Sequence, residues 1–192
     1  MELVIYGDFN CPFSALASDR AARLEATGRV TVDWRAVEHD RSLPADGRPV
    51  DSAERAVLEG EIGMIADQLR PGESVELHPP AVLVNTAALT ASYAALAPEH
   101  RPHVRRQVFD AYWRRGIDIR DLAATGDLPA PPTGAATADH WRTEWERSTA
   151  GSPIVPAMLL PDGHVSRGLG VLKRLADYLD QPTTHAHGRT GP

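Results

Sequence analysis

The sequence predicts a mixed α/β chain in which a βαβ unit and a ββα unit are separated by a long helical stretch. Three observations predict it. Strand-like patterning occupies the first 37 residues on either side of one helix. It gives way to helical spacing from about residue 52 to 149. It then returns after Gly151 as a short hairpin followed by a last helix.

Leu3 to Tyr6 is an apolar run closed by Gly7-Asp8, the pattern of a buried strand. From Pro12 the period changes: Leu16, Ala17, Ala21 and Leu24 share one helical face, and Gly28 lies just past the expected end. Residues 30–37 alternate apolar and polar positions and form a second strand, parallel to the first through a right-handed crossover. Residues 40–51 are rich in Pro, Gly and Asp and read as a loop. Leu58, Ile62, Ile65 and Leu69 then mark one helical stripe ending at Pro71-Gly72. Leu89, Tyr93 and Leu96 mark a second, and Val104, Val108 and Tyr112 a third, ending near Gly116. Asp118 is placed to cap a short helix carrying Leu122 and Ala123. Residues 129–134 read as a linker, and Thr137 as the cap of a helix holding Trp141 and Trp145. Residues 155–160 are an apolar strand, Pro161-Asp162-Gly163 a turn and 164–167 the return strand. Leu169, Leu172, Leu175 and Leu179 stripe the final helix. The domain expectation is therefore a core of residues 1–51 and 150–181, an inserted helical subdomain at 52–149, and a mobile tail at 182–192.

Composition bounds the function. With 42% hydrophobic residues the chain can bury a core, and a net charge of −6 with no basic block speaks against nucleic acid or an anionic membrane as partner. No segment approaches the ~20 apolar residues of a membrane span, and no signal-like segment precedes the first strand, so a soluble, cytoplasmic protein is expected. Lys173 is the only lysine beside many arginines, the mark of a GC-rich bacterial genome. The chain leaves room for a homodimer.

Chemistry concentrates at Cys11-Pro12-Phe13-Ser14, where the first strand meets the first helix. A cysteine there meets unpaired N–H groups and the positive end of the helix dipole, which favour the thiolate. Cys11 is thus expected to be partly exposed, with a pKa below the ~8.5 of a free thiol. Pro12 suits the first helical turn, and Ser14 is in reach to hydrogen-bond the sulfur or cap the turn. A lone cysteine is ordinarily a small buried hydrophobe; the junction of strand, Cys-Pro and helix argues for function here. Since Cys11 is the only cysteine, no intramolecular disulfide can form.

The run Gly7-Asp8-Phe9-Asn10-Cys11-Pro12-Phe13-Ser14 resembles the active-site segment of DsbA-like thioredoxin-fold proteins, whose relatives include 2-hydroxychromene-2-carboxylate isomerases and kappa-type glutathione transferases. Residues 85–121 resemble their inserted helices, above all Phe109-Asp110-Ala111-Tyr112-Trp113 followed by Gly116-Ile117-Asp118-Ile119. The resemblance extends from Leu3 to about Leu179. It implies a thioredoxin fold (βαβ–ββα) with a large helical insertion, and a cis-proline beside the cysteine, which Pro156 matches better than Pro153. A cis bond there would leave backbone groups of Val155 facing the sulfur. It further implies Cys11 and Ser14 as catalytic residues, with Pro12, Phe13, Val155 and Pro156 holding the thiol substrate.

The chain departs from the redox pattern in having Ser14 where a second cysteine would stand, so a self-contained dithiol cycle is excluded. The first expectation is a monothiol oxidoreductase or thiol transferase. It would act through Cys11 on a protein disulfide or small mixed disulfide, with no tightly bound cofactor and with glutathione or mycothiol as co-substrate. The alternatives are a glutathione-dependent isomerase or transferase and a non-catalytic binding module. His39, between Glu38 and Asp40, reads as an exposed loop histidine rather than a proton carrier. His78, His100, His103, His140 and His164 lack metal-site spacing, and His185 and His187 belong to a solvated tail. Trp113, Trp141 and Trp145 read as core or lid residues, with substrate stacking as the minority reading. Arg101, Arg105, Arg106, Arg114 and Arg115 read as a solvated helical face, with an anion site as the minority reading.

Overall fold

A computed structural model describes residues 1–120, 128, 131–150 and 152–182. Strand β1 (Glu2–Gly7) leads into α1 (Pro12–Ala26) and β2 (Thr31–Ala36). Two more strands, β5 (Ala157–Leu159) and β6 (Val165–Arg167), precede α6 (Leu169–Asp180). The four strands form one sheet in the order β2-β1-β5-β6. β1 runs parallel to β2, with Glu2 opposite Thr31 and Gly7 opposite Ala36. It runs antiparallel to β5, with Tyr6 opposite Ala157. This is the thioredoxin fold. Its position-2 alternation is legible in β2, where Val32, Trp34 and Ala36 are buried and the residues between them are not.

Between the two halves lie α2 (Ser52–Ala66), α3 (Ala87–Ala94), α4 (Arg101–Phe109) and α5 (Pro131–Ser148). α2 opens on a capping box: the Asp51 side chain accepts from the N–H groups of Ala53 and Glu54, and Glu54 reaches back to the Asp51 N–H. Leu58 and Ile65 of its stripe are buried, but the helix ends at Ala66 and Leu69 lies beyond it. α1 packs against α6 on one face of the sheet. The buried Arg20 ties these helices together. It donates to the carbonyl oxygens of Leu172 and Gln68 and pairs with Glu73 at 2.8 Å.

Three expectations need correction. The insertion is not wholly helical: β4 (Val82–Leu83) pairs antiparallel with β3 (Arg48–Pro49), tying it to the loop after β2. Pro79 and Pro80 keep the chain before β4 extended, so the partner it finds is another extended segment. Residues 131–134 are helix rather than linker, because proline is tolerated in a first helical turn; Thr137 therefore lies inside α5 and is not its cap. The arginine row is a solvated face only in part: Arg106 and Arg115 are exposed, the others are not. Arg105 is fully buried, donating to Ser18 Oγ and pairing with Glu25, and Arg101 stacks 5.0 Å from the Trp141 ring. Leu122, Ala123, His185 and His187, with nearly all of the expected tail, lie outside the described residues.

Two glycines permit close packing. A β-carbon on Gly7 would stand 2.3 Å from the Trp34 ring, so the indole lies directly on the end of β1. One on Gly134 would stand 1.9 Å from the Ala91 carbonyl oxygen, where α5 meets α3 backbone to backbone. Trp113, Trp141 and Trp145 are all core residues.

After Phe109 the third stripe changes winding. Residues Asp110–Arg114 form a π-helical turn, with Arg115 N–H bonded to Asp110 O. The wider turn delivers the Trp113 indole N–H to Phe9 O at 2.9 Å. It also sets the Tyr112 hydroxyl between Asn10 Oδ1 and Val82 O, at 2.6 and 2.7 Å. The insertion thereby clamps the segment that carries Cys11.

Candidate functional site

Cys11 is the N-cap of α1, in an extended conformation, with Pro12 as the first helical residue. Its own N–H bonds to Asp8 O at 3.1 Å, turning the chain from β1 into the helix. The thiol donates to Val155 O at 3.7 Å, across from the segment that enters β5. The Val155–Pro156 peptide bond is cis.

Cys11 opens onto a cavity of about 330 Å³. Asn10, Cys11, Pro12 and Phe13 form one wall, and Ile154, Val155, Gly168 and Leu169 another. His39 from the loop after β2 and Glu61 from α2 complete it. Among the expected site residues, Cys11, Pro12, Phe13 and Val155 thus meet at one cavity. Ser14 and Pro156 are buried and do not line it. Ser14 Oγ has no well-formed hydrogen bond, although it lies near enough to Cys11 to favour the thiolate.

The expected low thiol pKa is overturned. Burial pushes the Cys11 thiol up to about 12; the Ser14 hydroxyl and the N–H groups of Ser14 and Phe13 pull it down, and the Asp8 carboxylate pushes it further up. The helix N-terminus acts as its position suggests, but removing the sulfur from water costs its charged form more than these donors return. Donation to the Val155 carbonyl favours the neutral thiol in the same sense.

Sequence reasoning missed Asp8. It is 2% exposed and accepts from the N–H groups of Asn10 and His39, at 3.0 and 2.9 Å, and from the Thr86 hydroxyl at 2.9 Å. Burial raises its pKa against the pull of these donors. Gly7-Asp8 has only the signature of a turn, and two of the three donors come from distant segments, so no local pattern marks this carboxyl. His39 is the exposed loop residue expected, and Asp8 holds its backbone. Its half-exposed ring faces the cavity with Nδ1 3.8 Å from Asp8 Oδ2. Across the cavity Glu61 has its pKa raised by burial, with His39 drawing it back. No group of three or more metal-binding side chains occurs among the described residues.

The chain thus has a thioredoxin fold with one cysteine at the N-cap of its first helix, facing the carbonyl before a cis proline. The chain belongs to the DSBA-like thioredoxin domain family, whose model matches residues 2–128. Among solved structures it is similar to a 2-hydroxychromene-2-carboxylate isomerase, with a TM-score of 0.68 at 18% identity over 93% of this chain and 94% of that one. It is also similar to a probable DsbA oxidoreductase from Streptomyces coelicolor, with a TM-score of 0.62 at 16% identity over 100% and 97% of the two chains. A third similar structure is the cytosolic disulfide reductase DsbM from Pseudomonas aeruginosa with GSH, with a TM-score of 0.52 at 14% identity over 93% and 95%. No curated protein matches the chain. No helix among the described residues is long and apolar enough to cross a membrane.

Proposed function

We propose that the protein is a monothiol oxidoreductase or thiol transferase in which Cys11 exchanges with a disulfide or mixed disulfide bound in the 330 Å³ cavity. The observation that carries this reading is the placement of Cys11 at the helix N-cap, at a cavity wall, with its thiol on Val155 O. The raised pKa adds a condition. With a pKa of about 12, roughly one thiol in 10⁵ is ionised at pH 7, so the nucleophile must be made as substrate binds. His39 lines the same cavity and is the base this reading assigns.

In the first step Cys11 gives its proton to His39 and attacks one sulfur of the incoming R–S–S–R′. The Cys11–S–S–R bond forms, S–S breaks, and R′S⁻ leaves with the proton from His39. A second thiol, glutathione or mycothiol, then attacks the R sulfur of the Cys11 mixed disulfide: a new disulfide between R and that thiol forms, the Cys11–S bond to R breaks, and the Cys11 thiolate takes up the proton the second thiol gave up. Ile154 and Leu169, each 41% exposed at the cavity rim, favour a substrate with an apolar face.

One observation favours a second reading. A neutral Cys11 thiol is a hydrogen-bond donor, able to orient the sulfur of a bound thiol cofactor in a glutathione-dependent isomerase or transferase. A glutathione-conjugated reporter disulfide separates the two. Turnover that Cys11→Ser reduces to background, with unchanged melting temperature, is the expected result. Tight glutathione binding without turnover overturns the exchange reading in favour of the isomerase or transferase. Neither turnover nor binding leaves a binding module.

A further inference from the structure

The cavity beside Cys11 is lined, among the described residues, by four polar side chains: Asn10, Cys11, His39 and Glu61. Three of them are engaged. The Asn10 amide donates to Val84 O at 3.0 Å, and its Oδ1 accepts from the Tyr112 hydroxyl at 2.6 Å. The Cys11 thiol donates to Val155 O, and His39 Nδ1 stands 3.8 Å from Asp8 Oδ2. Glu61 makes no hydrogen bond and no ion pair with any described residue.

Its place on α2 is unusual for a carboxylate. Leu58, Glu61, Ile62 and Ile65 follow at i, i+3, i+4 and i+7, the spacing of one helical face, and Leu58 and Ile65 are buried. Glu61 therefore lies on the inward face, half-buried, whereas Glu59 of the same helix is exposed. The field of His39 reaches its carboxyl, which sets the charge at the cavity wall that both residues share. No other charged group among the described residues draws on it, and no lysine or arginine among them lines the cavity. A carboxylate withdrawn from water with no cation beside it is costly, and a ligand that brings the cation offsets that cost.

The form of the cation follows from the room. A cavity of about 330 Å³ is at the low end of small-molecule sites, roughly 300–1,000 Å³. An ammonium is a compact charge whose donors need no fixed plane, whereas a guanidinium must align its fork. Phe13, Ile154 and Leu169 supply apolar wall for a carbon arm between that charge and the sulfur. We infer that Glu61 makes the Cys11 cavity select disulfides that carry an ammonium group on a short arm. The inference rests on the exchange reading of Cys11.

The test compares three small disulfides with short two-carbon arms on the full chain: cationic cystamine, neutral 2-hydroxyethyl disulfide and anionic dithiodiglycolate. With cystamine, Cys11 gives up its proton and attacks one sulfur. A disulfide between Cys11 and cysteamine forms, the S–S bond of cystamine breaks, and the leaving cysteamine sulfur takes up the proton. The rate of adduct formation at mildly alkaline pH is read by mass spectrometry of the intact protein. Each rate is divided by that of the neutral disulfide, and wild type is compared with Glu61→Gln, so that the intrinsic reactivities of the disulfides cancel. The cystamine ratio should fall about fivefold in Glu61→Gln, the scale of a modest ion pair, and the dithiodiglycolate ratio should rise. Glu61→Lys should carry both changes further. Ratios that neither substitution moves overturn the inference and leave the Cys11 reading standing. No adduct with any of the three disulfides overturns the Cys11 reading, and the inference with it.

Discussion

The two ends of β1 carry buried polar groups of opposite character. At the Cys11 end the buried Asp8 carboxyl accepts from two backbone N–H groups and a hydroxyl, while burial raises the pKa of the partly exposed thiol beside it. At the other end the buried donors of Trp34, Tyr93 and Arg105 have no acceptor. The first arrangement favours a neutral thiol. The second leaves three donor atoms without an acceptor beside an Arg105 already paired with Glu25. Both depend on the insertion. Thr86, just before α3, reaches Asp8, and α3 and α4 carry Tyr93 and Arg105 to the sheet edge.

The largest expected effect breaks the first arrangement. If His39 takes the Cys11 proton, His39→Gln should lower disulfide exchange by roughly 10²-fold near neutral pH, within the usual range for a general base. The loss should shrink as pH rises and solvent takes over the deprotonation. Stability should barely change, because the His39 side chain is 49% exposed. A loss that is the same at every pH would show that His39 positions substrate and does not carry the proton.

A smaller effect measures the thiol itself. With a pKa of about 12, Cys11 should alkylate roughly a hundredfold slower than a free thiol at neutral pH. The thiolate fraction falls by more than three decades, and the greater nucleophilicity of a high-pKa sulfur restores about half of them. Since Asp8 raises this pKa, Asp8→Asn removes a negative charge beside the sulfur and must shift the alkylation profile to lower pH. A rate increase of several-fold at fixed pH is the expected outcome, read by iodoacetamide labelling. A shift to higher pH would mean that the turn holding Cys11 had collapsed.

The difference between the two ends also explains what was legible in the sequence. β1, α1, β2, the β5–β6 hairpin and α6 announce themselves through a change of period and through turn residues such as Pro161-Asp162-Gly163. The position of Cys11 follows from the same junction. β3 and β4 are two residues each, too short to have a period, and they exist only because the two segments meet. The π-helical turn preserves the spacing that suggested one continuous helix at Val104, Val108 and Tyr112. Its cause is the packing of Tyr112 and Trp113 on residues about a hundred positions away. The thiol pKa took the wrong sign because the helix N-terminus is written in the local sequence and desolvation is not. Arg105 looked like one more surface arginine, because nothing near it in the chain tells of Trp34.

The smallest effect is the sharpest test of the contrast, because one substitution made at each end should act in opposite directions. Tyr112 and Tyr93 are both buried, and burial raises both phenol pKa values. The Tyr112 hydroxyl sits at hydrogen-bond distance from Asn10 Oδ1 and Val82 O. Tyr112→Phe leaves those acceptors short of a donor and should cost about 1–2 kcal/mol in urea unfolding. The Tyr93 hydroxyl has no partner, so Tyr93→Phe removes a desolvated donor and nothing else. It should be neutral or stabilising by up to about 1 kcal/mol in protein stripped of small molecules. If Tyr93→Phe instead costs as much as Tyr112→Phe without any added ligand, the hydroxyl already has a partner in solution. The two ends of the strand would then differ in chemistry but not in saturation.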